Sequence, residues 1–384
     1  MTGSQTRDPS RGAELAIFLP SLAGGGAERM MLNLARGMLE LGLSVDLVVA
    51  SSAGPYGSLV PQACTLIDLG ASRILSALPG LLGYLRRRRP QALLSAMDHA
   101  NLVALWARAM ARAPTRVYVS VRSTLSREAR ESQTLAGRSL PYLASVFYPG
   151  AQAVIAVSQG VAEDLERLIG SGRARVLVIP NPVFTSDIPK LAAVMPDHRW
   201  LNDPYTGVIL AAGRLTPQKD FRTLIRAFVA LGDRPDLRLI ILGEGPERPA
   251  LTGLVQDLGL GGRVDLPGFV DNIFAYMARA RVFVLSSAWE GLPGVLIQAM
   301  ACGTPVVSTD CPSGPREILE QGRLGALVPV GDVQGMAAAM ARTLDQPPDS
   351  TRLKARAADF EVTTVTRRYL DVLGLHPTGA MKEA

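Results

Sequence analysis

The sequence predicts an α/β protein made of two doubly wound, parallel-sheet domains. Three observations carry this. Short apolar runs of four to eight residues alternate with longer helical patterns along most of the 384 residues. The alternation pauses once, in the proline-rich stretch 181–206. A composition of 48% hydrophobic and 19% charged residues leaves enough apolar material for two cores.

In chain order, the first series places strands near 14–20, 44–50, 64–69, 92–96, 116–121, 153–157 and 176–180. The apolar run Leu15 to Leu22 is short, follows Glu14 and passes into glycines without a small-residue cleavage pattern, so it reads as a strand and not as a signal peptide. Ser139 to Ala162 holds no charge, yet Pro141 and Pro149-Gly150 break it into a helix, a turn and a buried strand. No transmembrane helix is expected. Residues 181–206, with Asn181-Pro182, Pro189, Pro196 and Pro204, form the linker. A second series follows near 207–212, 238–242, 264–266, 282–286, 305–308 and 325–329. Val362, Val365, Tyr369, Leu370, Val372 and Leu373 then mark a terminal amphipathic helix. The expected domains are 1–185, joined by 362–384, and 186–361, and two such domains facing one another make a cleft.

Composition narrows the chemistry. Cys64, Cys302 and Cys311 form no C-x-x-C pair, which excludes a disulfide framework or zinc ribbon and fits a reducing cytoplasm. His99, His198 and His376 are far apart and show no metal-binding spacing. The net charge of +6 sits in the first half: residues 1–185 carry 19 arginines against 12 acids, and 186–384 carry 21 bases against 22 acids. Arg86 to Arg89 end an apolar stretch that begins at Ile74. That order reads either as a solvated helix end complementing the helix dipole or as contact with an anionic lipid surface. Without interleaved aromatics it does not read as a nucleic-acid site.

In open α/β sheets ligands bind beyond the carboxyl ends of the strands, so the residues after each run are the informative ones. After the first strand stand Gly24, Gly25 and Gly26, opening a helix whose free N–H groups favour an anion. This is a poor dinucleotide fingerprint, because Arg29 occupies the third glycine's place and Asp46 lies inside strand two, which argues against a Rossmann oxidoreductase. In the second series Arg214 and Lys219 flank a turn and can converge on a pyrophosphate, one as a planar fork and the other as a point charge. Gly243-Glu244-Gly245-Pro246 is a close-approach turn. Glu290 follows a strand, and the glycines behind it open a helix on which Gln298 lies two turns along. A carboxylate there can accept bonds from sugar hydroxyls, and a glutamine can bridge ribose hydroxyls.

Together the segments "GGGAERMMLNLA", "AVSQGVAEDL", "GRLTPQKDFRTLIRAF", "ILGEGPERPAL" and "EGLPGVLIQAMACGTPVVSTDCPSGPREIL" resemble the family-four glycosyltransferases, retaining enzymes of the GT-B fold. The resemblance implies an acceptor-binding first domain, a donor-binding second domain and a last helix that crosses back to the first. It implies a nucleoside-diphosphate sugar as co-substrate, no cofactor and no required metal. Arg214 and Lys219 become the clamp on the donor pyrophosphate, and Glu290 with Gly291, Leu292, Pro293 and Gly294 the site for donor-sugar hydroxyls. Gln298 stands where the family usually has a ribose-binding Glu, while Gly268 and Phe269 flank the base. Gly25 and Gly26 match the loop beside the diphosphate, and His99 a position contacting the donor sugar, although a lone His after a strand is often only a hydrogen-bonded residue. The catalytic set so implied is Glu290, His99, Arg214 and Lys219, with Asp98 and Arg122 as neighbouring contacts, Arg122 toward an acceptor phosphate.

No second carboxylate motif faces Glu290, so the resemblance favours a front-face route over double displacement. The run "STDCPSGPREIL" and the basic first half are similar to the branch that builds bacterial surface glycans, from UDP-linked N-acetylhexosamines onto lipid-linked or glycan acceptors. This implies a cytoplasmic enzyme peripheral at the inner face of the membrane. A nucleotide-sugar-binding module without turnover is the alternative that Gln298 raises.

Overall fold

Five consecutive buried residues in Leu15–Leu19 mark a strand covered on both faces, which is how parallel sheets are built. A computed structural model describes residues 13–376; the expected first-domain ends, 1–12 and 377–384, lie outside these. The strands are β1 (Leu15–Leu19), β2 (Val45–Val49), β3 (Thr65–Asp68), β4 (Ala92–Ala96), β5 (Arg116–Val121), β6 (Ala153–Ala156), β7 (Val176–Val178), β8 (Gly207–Ala212), β9 (Leu237–Leu242), β10 (Val264–Gly268), β11 (Val282–Leu285), β12 (Val306–Thr309) and β13 (Ala326–Val328).

They form two parallel sheets, of seven strands in the order β3-β2-β1-β4-β5-β6-β7 and six in the order β10-β9-β8-β11-β12-β13. The two doubly wound sheets that the apolar spacing predicts are therefore present, and each reverses direction once. In the first sheet the reversal lies where β1 pairs with both β2 and β4, and in the second where β8 pairs with both β9 and β11. Such switch points open a crevice between the loops that leave the two diverging strands.

The chain divides into two compact units. One takes the described residues up to Val157, Val161–Pro182 and the chain from Val365 onward; the other takes Ser158–Gly160 and Val183–Thr364. The first core packs Met31, Leu34 and Met38 of helix Gly26–Glu40 on β1 and β2. It also holds Val365, Tyr369, Leu370 and Leu373 of the terminal helix Val362–Leu373. Tyr118 on β5 donates its hydroxyl to the Leu373 carbonyl at 3.3 Å, tying the end of that helix to the sheet. The second core packs Phe221, Leu224, Ile225 and Phe228 against β8, β9 and β11.

Local readings change in three places. Helix Leu135–Phe147 runs through Pro141 without breaking, losing only the one bond a proline cannot donate, and the turn comes at Tyr148–Gly150. Residues 183–206, aperiodic in sequence, fold onto the second unit, where Trp200 is buried and His198 Nε2 lies 3.1 Å from Asp265 Oδ2. The four-arginine run is not uniform. Arg88 turns inward onto Asp46 of β2, with contacts of 3.1 and 3.2 Å, and Tyr84 donates to the same carboxylate at 2.8 Å. Asp46 is thus a buried structural acid, while Arg86, Arg87 and Arg89 are exposed.

Because Asp46 is 2% exposed and Arg88 35%, removing the arginine leaves a buried carboxylate with only Tyr84. Arg88→Ala is expected to lower stability by about 2 kcal/mol, below the cost of breaking a fully buried pair because of solvent screening. Arg87→Ala is expected to stay within about 0.5 kcal/mol. Urea unfolding midpoints of the two variants check this.

Candidate active site

In the second unit the switch point brings the loop after β8 beside the loop after β11. Lys219 Nζ lies 2.5 Å from Glu290 Oε1, and the two side chains are 16% and 8% exposed. Ser287 donates to the same carboxylate oxygen at 2.6 Å. The loops are locked by backbone as well: Ala288 N–H donates to the Gln218 carbonyl at 2.8 Å, Gln218 Nε2 to the Trp289 carbonyl at 2.9 Å, and Ser286 Oγ to the Lys219 carbonyl at 2.7 Å. Lys219 and Glu290, seventy-one residues apart, therefore form one unit of charge. The separate roles read from sequence, phosphate clamp and sugar site, fall on partners of a single ion pair.

Arg214, in the same loop, is exposed. The loop is shaped from below by the turn after β9. Gly243 has φ +126 and a Cβ there would fall 2.1 Å from the Gly213 carbonyl oxygen; at Gly245 it would fall 2.4 Å from that of Leu215. Leu215 N–H donates to the Glu244 carbonyl at 2.8 Å. The close approach that these glycines signal in sequence is thus made by protein backbone.

Gly268 ends β10 with φ +97, and Phe269 beside it is 69% exposed, a free aromatic face. Glu244 covers Gly268 and is held by Arg248 through two bonds of 2.7 Å. Nothing in the sequence spacing singled out Glu244 or Arg248. Gly291, Leu292 and Pro293 are buried, and the helix begins only at Gly294, running to Cys302. Gln298 is therefore in its second turn, four residues from Gly294 on the same face, and half-buried.

In the first unit the switch point lies between β1 and β4. Gly24 has φ +95, Gly25 caps helix Gly26–Glu40, and Gly26 is exposed with open space around it. After β4, Met97 has φ +79 and caps helix Asp98–Ala111, a strained backbone of the kind that persists where surrounding structure holds it. Asp98 and His99 follow it as the first two helical residues. His99 is exposed. Asp98 Oδ1 is buried without a hydrogen-bond partner, and burial, reinforced by the charge of Glu128, pushes its carboxyl up to about 8. Asp98 is thus a neutral acid at physiological pH, a property invisible in the sequence. Arg122 follows β5, its Nη1 donating to Ser120 Oγ at 3.3 Å. Among the described residues no group of three or more His, Cys, Asp or Glu side chains could hold a metal ion, and no helix is long and apolar enough to cross a membrane.

These two sheets, with charged loops at the switch points, define a nucleotide-sugar-enzyme architecture of the GT-B type. Residues 24–187 match the profile described as Glycosyltransferase Family 4, and residues 206–346 that described as Glycosyl transferases group 1. A Campylobacter jejuni protein, N-acetylgalactosamine-N,N'-diacetylbacillosaminyl-diphospho-undecaprenol 4-alpha-N-acetylgalactosaminyltransferase, is 30% identical over 377 residues, covering 94% of this chain and 99% of that one. The chain belongs to glycosyltransferase family 4. The lipopolysaccharide core biosynthesis glycosyltransferase LpsE of Rhizobium meliloti is 32% identical over 237 residues, 60% of this chain and 66% of its own. Among solved structures, Anabaena HepE in complex with UDP has a TM-score of 0.76 at 23% identity, covering 94% of this chain and 99% of that chain. Sucrose-phosphate synthase from Thermosynechococcus elongatus has a TM-score of 0.78 at 22% identity, covering 93% and 97%. Both share the fold.

Two outcomes are expected from this geometry. Gly243→Ala combines a left-handed backbone with a backbone collision, so it is expected to destabilise by at least about 2 kcal/mol and to weaken nucleotide binding through the displaced Arg214 loop, as read by urea unfolding and calorimetry. Asp98 holds its proton more tightly folded than unfolded, so its contribution to stability falls as pH rises from about 4 toward 8 and is flat above that. Asp98→Asn is expected to flatten that part of the profile of unfolding midpoint against pH between 5 and 9.

Proposed function

We propose that this glycosyltransferase moves a sugar, with retention at the anomeric carbon and without a metal, from a nucleoside-diphosphate sugar to a lipid-linked or glycan acceptor in bacterial surface-polysaccharide synthesis. The donor we infer is a UDP-linked N-acetylhexosamine. The observation that carries this reading is the buried Lys219–Glu290 pair at the donor-side switch point, with Arg214 exposed in the same loop. The end-to-end match to a Campylobacter enzyme whose name specifies N-acetylgalactosaminyl transfer to an undecaprenol-linked acceptor supports the donor and acceptor classes. LpsE, by its name, belongs to lipopolysaccharide core biosynthesis. HepE has also been crystallised with UDP-glucose, which supports the uridine base.

Departure of the nucleoside diphosphate builds negative charge on phosphate oxygen. Lys219, held in place by Glu290, supplies a fixed point charge there, and Arg214 a planar fork. Glu290, with one oxygen taken by Lys219 and Ser287, keeps acceptor capacity for a sugar hydroxyl. Gln298 would hold the ribose through neutral hydrogen bonds and Phe269 would flank the base. Gly25 and Gly26 would border the diphosphate and His99 would contact the donor sugar. In the front-face route a donor phosphate oxygen takes the acceptor proton. Membrane contact, if made through the segment Ile74–Arg89, rests on the exposed cations Arg86, Arg87 and Arg89 and on Leu75, since Leu81 and Leu85 face the core. Flotation with anionic liposomes is expected to weaken when those three arginines are neutralised.

With UDP in EDTA at about 100 times its dissociation constant, the chain is expected to gain roughly 2.7 kcal/mol, read as a thermal shift, and GDP or NAD is expected to give none. Lys219→Ala is expected to lower kcat about 100-fold or more, the usual loss for one preorganised charge-stabilising group. Retention is checked by the anomeric configuration of the product. Nucleotide binding without turnover, restored by Gln298→Glu, would favour a binding module instead.

A further inference from the structure

Beneath the glycine loop of the first unit lies a buried polar cluster that the reaction does not use. Glu28, third residue of helix Gly26–Glu40, is 5% exposed. Its carboxylate folds back on the turn so closely that a Cβ at Gly25 would fall 2.3 Å from Oε2. Arg122 reaches in from the end of β5: Nη1 donates to Ser120 Oγ at 3.3 Å, while Nε and Nη2 are buried with no hydrogen-bond partner. Tyr369, on the terminal helix, is fully buried, and its hydroxyl lies against Ser120 and Arg122 without closing a hydrogen bond. Burial holds the Arg122 guanidinium below its ordinary range, opposed first by Tyr369 and then by Glu28.

A buried guanidinium with two unfilled donors is costly unless an opposite charge lies in the same low-dielectric space, and Glu28 is the carboxylate it feels. The attraction is strong there because water does not screen it. It also acts in one direction, drawing the Glu28 side chain inward, where its oxygens shape the Gly24–Gly26 turn. The Tyr369 hydroxyl fixes which way the fork faces, and Ser120 takes its remaining edge.

We infer that Tyr369 and Arg122 are positioning residues for the glycine loop: Tyr369 orients Arg122, Arg122 holds Glu28, and Glu28 sets the turn that carries Gly25 and Gly26. The effect on donor binding rests on the proposed contact between that loop and the diphosphate.

Amide hydrogen exchange of the segment 22–30, followed by mass spectrometry in the full chain, tests the relay without a ligand. Tyr369→Phe, which keeps the ring, is expected to speed exchange there about 3-fold, and Arg122→Met about 10-fold or more, with β2 and β4 unchanged. The double variant is expected to match Arg122→Met alone, because both act through one path. Arg122→Lys, which keeps the charge without the fork, is expected to fall between wild type and Arg122→Met. Unchanged exchange in Tyr369→Phe and Arg122→Lys, or effects that multiply in the double variant, would overturn the relay. Calorimetry with UDP is the second arm. Weaker UDP binding in step with faster exchange supports the whole inference. Faster exchange at unchanged UDP affinity supports the relay and overturns only the contact of the loop with the diphosphate.

Discussion

The second unit is organised around one buried ion pair. Lys219 and Glu290 come from loops after different strands, and each would be a costly isolated charge at its degree of burial. They compensate each other only because β8 and β11 are neighbours at the point where the sheet reverses. Everything nearby serves that proximity: Ser287 completes the carboxylate's shell, Gln218 and Ser286 stitch the two loops by backbone, and the glycines after β9 admit the Gly213–Leu215 backbone beneath. A charge so held is preorganised, which is what a leaving diphosphate needs from a site with little freedom to rearrange.

The first unit solves a different problem. Its switch-point loops carry one strained residue, Met97, one acid kept neutral, Asp98, and an open glycine turn. These features avoid fixed negative charge near a position expected to meet a phosphate, while the exposed His99 stands one residue beyond the neutral acid. The terminal helix contributes Tyr369 to the cluster below the turn and Leu373 to the core, so its seating bears on both stability and the loop.

Much of this was legible in the residues. The runs of apolar residues located all thirteen strands to within a few positions, because a strand buried on both faces must be apolar throughout. The residues after β8 and β11 were legible as functional because glycines, a lysine and a carboxylate follow strand ends there. Other signals were correct in kind and wrong in object. Gly243 and Gly245 announced a close approach, and the approaching group is the Gly213–Leu215 backbone. The arginine run announced a surface, and one of its members is a structural partner of Asp46. Pro141 announced a break, and the helix continues through it.

The sequence by itself determined the fold class, the series of strands and the chemical types placed at their carboxyl ends, because periodicity and glycine placement are local properties of the chain. Only the tertiary structure decided which of those groups meet. Strand order is set by long-range pairing, and it is that order which brings Lys219 to Glu290 across seventy-one residues and Tyr369 to Arg122 across a still longer separation. The protonation of Asp98 was decided there too, since desolvation depends on every element packed around a group and not on its neighbours in sequence.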